Sequence, residues 1–258
     1  RLSRAYVRAF GEHLGPDVDV PAPDVYTTPA IMAIMRDEYE KMVGHEASAF
    51  ITGKPLEHGG SLGRDTATAD GAIMVLDALL ADQHRDMGEL TAAVQGAGNA
   101  GAQAARLLER GGAKVLAISD SKGTLANKNG LPVDEVLSIK EDKGSVHDAA
   151  ALGDALPAEF IVSAPVDVLV PAALEEQIRL DNAESVQAGI ILEIANGPVT
   201  PEADAILSLR GAAIVPDVLA NAGGVTVSYF EWLQNKAGES WSKEEVHERL
   251  EKVMHDAY

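Results

Sequence analysis

Cysteine is absent from the 258 residues, which excludes disulfides, thiolate metal sites and a cysteine nucleophile. Aromatic residues are scarce, at 4%, and basic ones are outnumbered: 21 Lys and Arg stand against 40 Asp and Glu, a formal net charge of -19. A surface of that sign repels nucleic acid and anionic membrane, so neither is expected as a partner. No apolar run approaches the roughly eighteen residues needed to cross a bilayer. No secretory leader is visible either, and a cytoplasmic location is expected. The seven histidines are scattered, without H-E-x-x-H or paired spacing, so no metal site is indicated. Gly-x-Ser-x-Gly is also missing, which argues against an α/β-hydrolase. The acidity itself has two readings: an ordinary acidic protein, or one adapted to high salt, where counterions screen the self-repulsion.

What is present begins with helical spacing. Leu2, Tyr6, Ala9, Phe10 and Leu14 predict an amphipathic helix over residues 1–14. Residues 15–24 form a loop in which Pro21 and Pro23 hold the chain extended up to Asp24. A helix over about 29–43 follows, with Pro29 suited to its first turn. A glycine-rich connection (51–63) leads to another helix over 66–85. The rhythm then changes. Strands are expected at Leu90–Gln95, Lys114–Ser119, Glu159–Ala164, Gly189–Ile194 and Ala212–Val215, with helices at Asn99–Arg110, Leu169–Leu180 and Pro201–Leu209. Alternating strands and helices predict an α/β fold with a doubly wound parallel sheet. Past Asn221 the pattern with Tyr229, Trp232 and Leu233 is helical, as is 242–257.

The sharpest local signal is Gly96-Ala97-Gly98-Asn99-Ala100-Gly101, which matches G-x-G-x-x-G. A strand precedes it, a helix follows, and Asp120 ends the next strand, the context in which the motif binds a dinucleotide. Gly96 permits the tight turn, Gly98 lets backbone approach the pyrophosphate, and Gly101 lets the helix lie close to the strand. Backbone N–H groups and the helix dipole then face the phosphates. Asp120 stands where a carboxylate takes ribose hydroxyls and repels a 2′-phosphate, favouring NAD over NADP; the alternative is a strand-end acid facing water.

Seven segments together carry a resemblance: DVPAPD (19–24), TGKPLEHGGSLGRDTAT (52–68), QGAGNAG (95–101), SDSKG (119–123), PAALE (171–175), EIANGPVTPEAD (193–204) and PDVLANAGGVTVSYFEWLQN (216–235). In type and order they resemble the glutamate dehydrogenases, within the wider Glu/Leu/Phe/Val dehydrogenases. The resemblance implies a Rossmann-like coenzyme domain over 67–222, part of a second α/β substrate (dimerisation) domain over 1–66, and helices returning toward the latter over 223–258. It assigns Asp24 a general acid/base role in forming and breaking an imine; the alternative is an N-cap for the helix beginning near Pro29. Arg64 and Thr68 lie four residues apart, one helical turn, so both can face the same side; the resemblance places them around the nicotinamide and its carboxamide, where the alternative for Arg64 is a surface salt bridge. Asn99 and Ser121 fall at coenzyme positions. Asn196 and Asn221 do as well, their amides matching a carboxamide, although asparagine also favours turns. Val225 and Ser228 become the floor and the hydroxyl that sort side chains, Ser228 taking the distal carboxylate of glutamate; the alternative is a helix serine bonded one turn back.

The implied reaction is NAD(P)-dependent oxidative deamination of L-glutamate to 2-oxoglutarate and ammonia, and its reverse, by a homo-oligomer, commonly a hexamer. Within the family, Ser228 and NAGGVTVSYFEW argue against a dehydrogenase for branched-chain or aromatic amino acids; a nucleotide-binding subunit without chemistry is the rival of another class. The family's catalytic lysine lies in a GGAKGG-type segment upstream of Arg1, with two further substrate-binding lysines, so these residues are expected to be a portion of an enzyme and inactive alone. Gly111-Gly112-Ala113-Lys114 only imitates that segment, because it ends one helix and starts a strand, and Lys54 sits in a family segment without being the base. Two departures stand out: Ala69-Asp70 where the family has Gly-Arg, and Ile194 where it has glycine, which adds bulk near the coenzyme crevice.

Overall fold

The computed structural model describes residues 1–24 and 26–258. Helix α1 (Leu2–Phe10) is shorter than its pattern and turned the other way: Val7 is buried, while Leu2, Tyr6 and Phe10 are exposed. A buried carboxylate is the reason. Glu38 of α2 (Pro29–Val43) is 6% exposed and receives Arg4 at 2.7 Å and Arg8 at 2.5 Å, so α1 presents its arginine face inward. Helix α2 begins at the expected proline, is capped by Thr28, whose hydroxyl accepts from Ile31 N–H at 3.4 Å, and stops at Gly44 with φ 79°. Thr28, not Asp24, is therefore the cap.

Helix α3 (Ala67–Asp82) is followed by strand β1 (Thr91–Gln95), α4 (Asn99–Arg110), β2 (Lys114–Asp120), β3 (Gly123–Ala126), α5 (Val133–Lys143), β4 (Asp154–Leu156) and β5 (Val168–Pro171). Strand β6 (Ile190–Leu192), α6 (Pro201–Leu209), β7 (Ala213–Val215), α7 (Asp217–Ala220), α8 (Ala222–Ala237) and α9 (Lys243–Ala257) complete the chain. The seven strands form one sheet in the order β4-β3-β2-β1-β5-β6-β7. Neighbours among β2, β1, β5, β6 and β7 are parallel, whereas β3 and β4 add antiparallel at one edge.

Two expectations are corrected here. Glu159–Ala164 is not a strand; Ala158–Ser163 is a 3-10 turn that buries Ile161 and Val162. The strand lies further on, at β5, overlapping the start of the stretch whose spacing predicted a helix over Leu169–Leu180. Every residue of β5 is buried, so its apolar run has no alternation to separate strand from helix. The short edge strands β3 and β4 and helix α5 left no signal that was read from sequence.

The chain divides into two compact units. Unit 2 comprises Thr68–Gly223 and Met254–Tyr258 and contains the whole sheet. Its core joins Ala93, Ala117, Leu169 and Ile191 of the strands to Ile161 and Leu207. Unit 1 comprises Arg1–Ala67 and Gly224–Val253. Met32, Met35, Tyr39, Phe50 and Ile51 build a core there, with Tyr39 stacked on Phe50 at 3.9 Å between ring centroids. Among the described residues no helix is long and apolar enough to cross a membrane.

Candidate functional site

In unit 2 the parallel strands end on one side of the sheet, where loops from several strands converge. After β1, Gly96 turns at φ 95°, a conformation that penalises any side chain, and a Cβ there would meet Ala172 and Ala173 at 2.9–3.0 Å. A Cβ on Gly101 would fall 1.8 Å from the Gly96 carbonyl oxygen. Both glycines are required by the chain's own packing. Gly98 is not: its φ is -79°, and a Cβ would meet nothing within 4 Å. Gly98 is also the N-cap of α4 and offers no side-chain bond, with no acid in the first turn. The first N–H groups of α4, including that of Asn99, are thus left without an intrahelical acceptor. Helices α2 and α6, by contrast, are capped by Thr28 and Thr200.

At the end of β2 the Asp120 carboxylate is engaged by its own chain. It accepts from Lys122 N–H at 2.8 Å, Val146 N–H at 2.7 Å and the Ser145 hydroxyl at 3.1 Å. Burial pushes this carboxyl up, but those donors outweigh burial and hold it below the usual carboxylate range. Asp120 is accordingly not a strand-end acid facing only water. Ser121 beside it is exposed.

Past β6 and β7 the two asparagines meet. Asn221 Nδ2 donates to Asn196 Oδ1 at 2.7 Å and to the Ile194 carbonyl at 3.3 Å. This leaves Asn196 its amide donors and Asn221 its carbonyl acceptor, a complement to another carboxamide. Ile194 is 4% exposed, so its bulk goes into the core. Glu193, which the sequence reading passed over, is 7% exposed and accepts from Asp217 N–H at 2.9 Å. Burial, then the nearby Asp217 and Asp204 charges, push its carboxyl up to about 7 against the opposing Asp217 N–H.

Unit 1 assembles a second group of residues. Arg64 lies in the turn before α3, not on the helix; Gly63, at φ 76°, bends the chain there and the helix starts only at Ala67. The one-turn relation of Arg64 to Thr68 therefore does not hold. Thr68, at the start of α3, falls in unit 2. Arg64 Nε donates instead to the Ser228 hydroxyl at 2.8 Å, and Ser228 is 6% exposed. Neither the surface ion pair nor the one-turn-back serine bond describes this geometry. Among the described residues no carboxylate pairs with Arg64. Burial pushes its guanidinium below the ordinary value, against the more distant Glu231 and Asp65 charges.

Glu231, three residues beyond Ser228 on α8, holds the turn around Gly53. Its carboxylate accepts from Gly53 N–H at 2.9 Å, Lys54 N–H at 3.3 Å and Lys54 Nζ at 2.5 Å, and both charged side chains are fully buried. Burial lowers the Lys54 ammonium and the Glu231 carboxylate counters it. Val225, on the same helical face as Ser228, is 69% exposed. Asp24 is exposed at the end of the proline loop, where its backbone N–H donates to Thr27 Oγ1 at 2.7 Å. Lys114 opens β2 immediately after the Gly112 turn at φ 98°. Among the described residues no group of His, Asp and Glu has the arrangement to hold a metal ion.

Residues 59–258 match the family described as Glutamate/Leucine/Phenylalanine/Valine dehydrogenase. The chain belongs to that family. Residues 1–41 match its Glu/Leu/Phe/Val dehydrogenase, dimerisation domain. The catabolic NAD-specific glutamate dehydrogenase RocG of Bacillus subtilis is 46% identical over 98% of the chain and 59% of its own length. The NAD-specific glutamate dehydrogenase of Staphylococcus aureus (strain COL) is 45% identical over 100% of the chain and 62% of its own length. The crystal structure of the hetero-hexameric glutamate dehydrogenase from Thermus thermophilus, in its Leu-bound form, superposes with a TM-score of 0.93 at 39% identity, covering 99% of this chain and 60% of that one. The chain thus spans about three fifths of the length of the relatives it matches.

Lys54, Glu231 and Glu193 are the residues that sequence reasoning did not place in a site. Lys54 and Glu231 sit within the family segments, but a buried ion pair 177 residues apart leaves no periodic trace. Glu193 lay within the expected strand Gly189–Ile194 and opened the family segment 193–204, with nothing in either to mark its burial.

Proposed function

We propose that the chain is the coenzyme-binding portion, with part of the substrate-binding portion, of an NAD-dependent glutamate dehydrogenase. The reaction is oxidative deamination of L-glutamate to 2-oxoglutarate and ammonia, and its reverse. The observation that carries the substrate choice is the Arg64–Ser228 pair: a part-buried guanidinium, hydrogen-bonded to a buried hydroxyl and, among the described residues, in no ion pair with a carboxylate. A cation so placed favours an incoming carboxylate, and bidentate recognition of one suits arginine. A leucine or phenylalanine side chain would leave it uncompensated, at a cost of several kcal/mol or about that order. The Arg64 role differs from the nicotinamide contact implied by resemblance, and follows from its bond to Ser228.

The coenzyme reading is supported by Gly98, the one glycine of the motif that the chain's own packing does not demand. A nicotinamide coenzyme held by these residues would supply the hydride acceptor in deamination and the hydride donor in the reverse reaction. The residues of this chain bind, orient and move protons. The N–H groups over Gly96–Gly101, with Asn99, hold the diphosphate. Asp120 and Ser121 lie toward the ribose, the Asp120 charge opposing a 2′-phosphate and so favouring NAD over NADP. Asn196 and Asn221 orient the carboxamide, with Thr68 as a further contact. Val225 forms the floor beneath the substrate side chain, and Asp24 passes a proton as the imine forms and breaks. In this reading residues 67–222 are the coenzyme domain, 1–66 part of the substrate domain, and 223–258 the returning helices. Assembly as an oligomer, a hexamer in the homologous form, is supported by the exposed row of Leu2, Tyr6 and Phe10 on α1. A cytoplasmic setting agrees with the net charge of -19, and adaptation to high salt would show as a melting temperature that climbs steeply with KCl.

Turnover of glutamate and leucine by the full-length enzyme, with NAD and NADP, tests the reading. Glutamate with NAD is the expected pair. Activity on leucine alone overturns the substrate assignment.

A further inference from the structure

Asp217 holds both asparagine loops at once. Its carboxylate accepts from Gly197 N–H at 2.7 Å, beside Asn196, and its carbonyl accepts from Asn221 N–H at 2.9 Å through the single turn of α7. The same carboxylate accepts from Val218 N–H at 2.6 Å. One group remains to fix Asp217 itself, its N–H, and that donates to Glu193. Glu193 is in turn held at the end of β6, its N–H donating to the Val215 carbonyl at 3.2 Å. The buried carboxyl thus sits at the root of a relay from the sheet to the Asn196–Asn221 pair. Gly197, at φ 51° with open space where a Cβ would point, is held at its carbonyl by Glu176 N–H at 2.8 Å, and the Asp217 bond restrains its N–H.

We propose that Glu193 is a positioning residue for the coenzyme: through Asp217 it sets the Asn196–Asn221 pair in the register that receives the nicotinamide carboxamide. The inference rests on the coenzyme reading above. Glu193 touches neither substrate nor coenzyme in this account, and acts through the two loops. The groups that bear on its charge are Asp217 at the start of α7 and Asp204 on α6, both acidic, together with burial. Coenzyme settling over these loops removes further water from Glu193, and loss of water opposes the ionised form. Binding is then linked to proton uptake. Affinity is full while Glu193 is protonated and weakens as pH rises through about 7, where the carboxyl of the coenzyme-free protein ionises.

The test is NADH titration of the full-length enzyme from pH 6 to 8.5, followed by coenzyme fluorescence, for the parental protein, Glu193→Gln and Glu193→Ala. Glutamine keeps an oxygen for the Asp217 N–H but cannot ionise, so it retains the parental low-pH affinity and loses the step near pH 7. Alanine removes the acceptor and weakens binding about tenfold across the range. Glutamine is close in shape, so it keeps the inference testable should alanine fail to fold. Parental binding with no pH step, a step that persists in Glu193→Gln, or parental affinity in a folded Glu193→Ala each overturns the positioning role. Absence of NADH binding by the parental protein overturns the coenzyme reading instead.

Discussion

In unit 2 the residues gathered at the sheet ends are joined largely through backbone N–H groups: Gly197 to Asp217, Asp217 to Glu193, Lys122 and Val146 to Asp120. In unit 1 the decisive contacts involve charged side chains and bridge 164 to 178 residues, Arg64 to Ser228 and Gly53 and Lys54 to Glu231. The first kind of site depends on where backbone can go, so it is sensitive to an added Cβ. The second depends on charges removed from water, so it is sensitive to loss of one partner. Each kind of sensitivity gives a separate way to break it.

The largest effect is expected in unit 1. Glu231→Ala leaves the Lys54 ammonium buried with no counter-charge and strips an acceptor from Gly53 N–H, and should cost about 3–5 kcal/mol. Urea unfolding read from Trp232, which lies on the same helix, measures it. A loss below about 1 kcal/mol would mean that water reaches Lys54 after all.

Next come the glycines of unit 2, where neighbouring substitutions should separate fold from binding. Gly101→Ala drives a methyl into the Gly96 carbonyl and should destabilise by about 1–3 kcal/mol or more. Gly98→Ala meets open space and should leave stability within about 0.5 kcal/mol. Its coenzyme affinity should nonetheless fall at least tenfold, or about 1.4 kcal/mol. Equal affinity in Gly98→Ala and the parental protein would remove the dinucleotide from the Gly96–Gly101 loop.

This contrast also explains what the sequence made legible. The boundaries of α4 and α6 coincide with their patterns, because each has one apolar face, and α4 starts at the glycine turn while α6 starts at the Thr200 cap with Pro201 following. The Gly96–Gly101 turn was readable because its chemistry is local. Strand β5 was not, since burial on both faces erases the period, and β3 and β4 were too short to show one. Helix α1 had the period but the wrong inward face, because Glu38 draws two arginines from 30 and 34 residues away. The Arg64–Ser228 bond lay beyond any window. Only the family resemblance brought those two residues into one discussion, and it gave Arg64 a different neighbour.

A smaller effect, within unit 2, comes from pH. Glu193 has a folded-state value near 7, above its ordinary 4.5, so the folded protein holds that proton more tightly than the unfolded chain. Stability from this group is full below about 4.5, falls as pH rises toward 7, and is flat beyond. Asp167 runs the other way. Burial pushes it up, but the Thr91 hydroxyl and N–H and Arg85 outweigh burial and hold it below the ordinary value. Its contribution is present above its unfolded value near 3.8 and is lost as pH falls through the lower folded one. Melting temperatures of Glu193→Gln should therefore lose part of the decline between pH 5 and 7, while Asp167→Asn should lose part of the acid-side drop. Identical curves for Glu193→Gln and the parental protein would mean that Glu193 titrates like an exposed carboxylate.

A small change in stability is also expected from removing both charges of the buried pair. Lys54→Met with Glu231→Leu replaces two desolvated ions by apolar groups of similar bulk, and such exchanges are often neutral or stabilising. The double variant should therefore lie within about 1 kcal/mol of the parental protein, although Glu231→Ala alone is costly. What it cannot restore is the acceptor for Gly53 N–H and Lys54 N–H, so the turn loses its tether to α8 one helical turn beyond Ser228. If the pair serves mainly to hold that register, KM for glutamate should rise several-fold in the double variant while the urea midpoint stays in place. An unchanged KM with an unchanged midpoint would make the pair dispensable to both. The comparison between the units would then narrow to Arg64 and Ser228 against the backbone of the sheet ends.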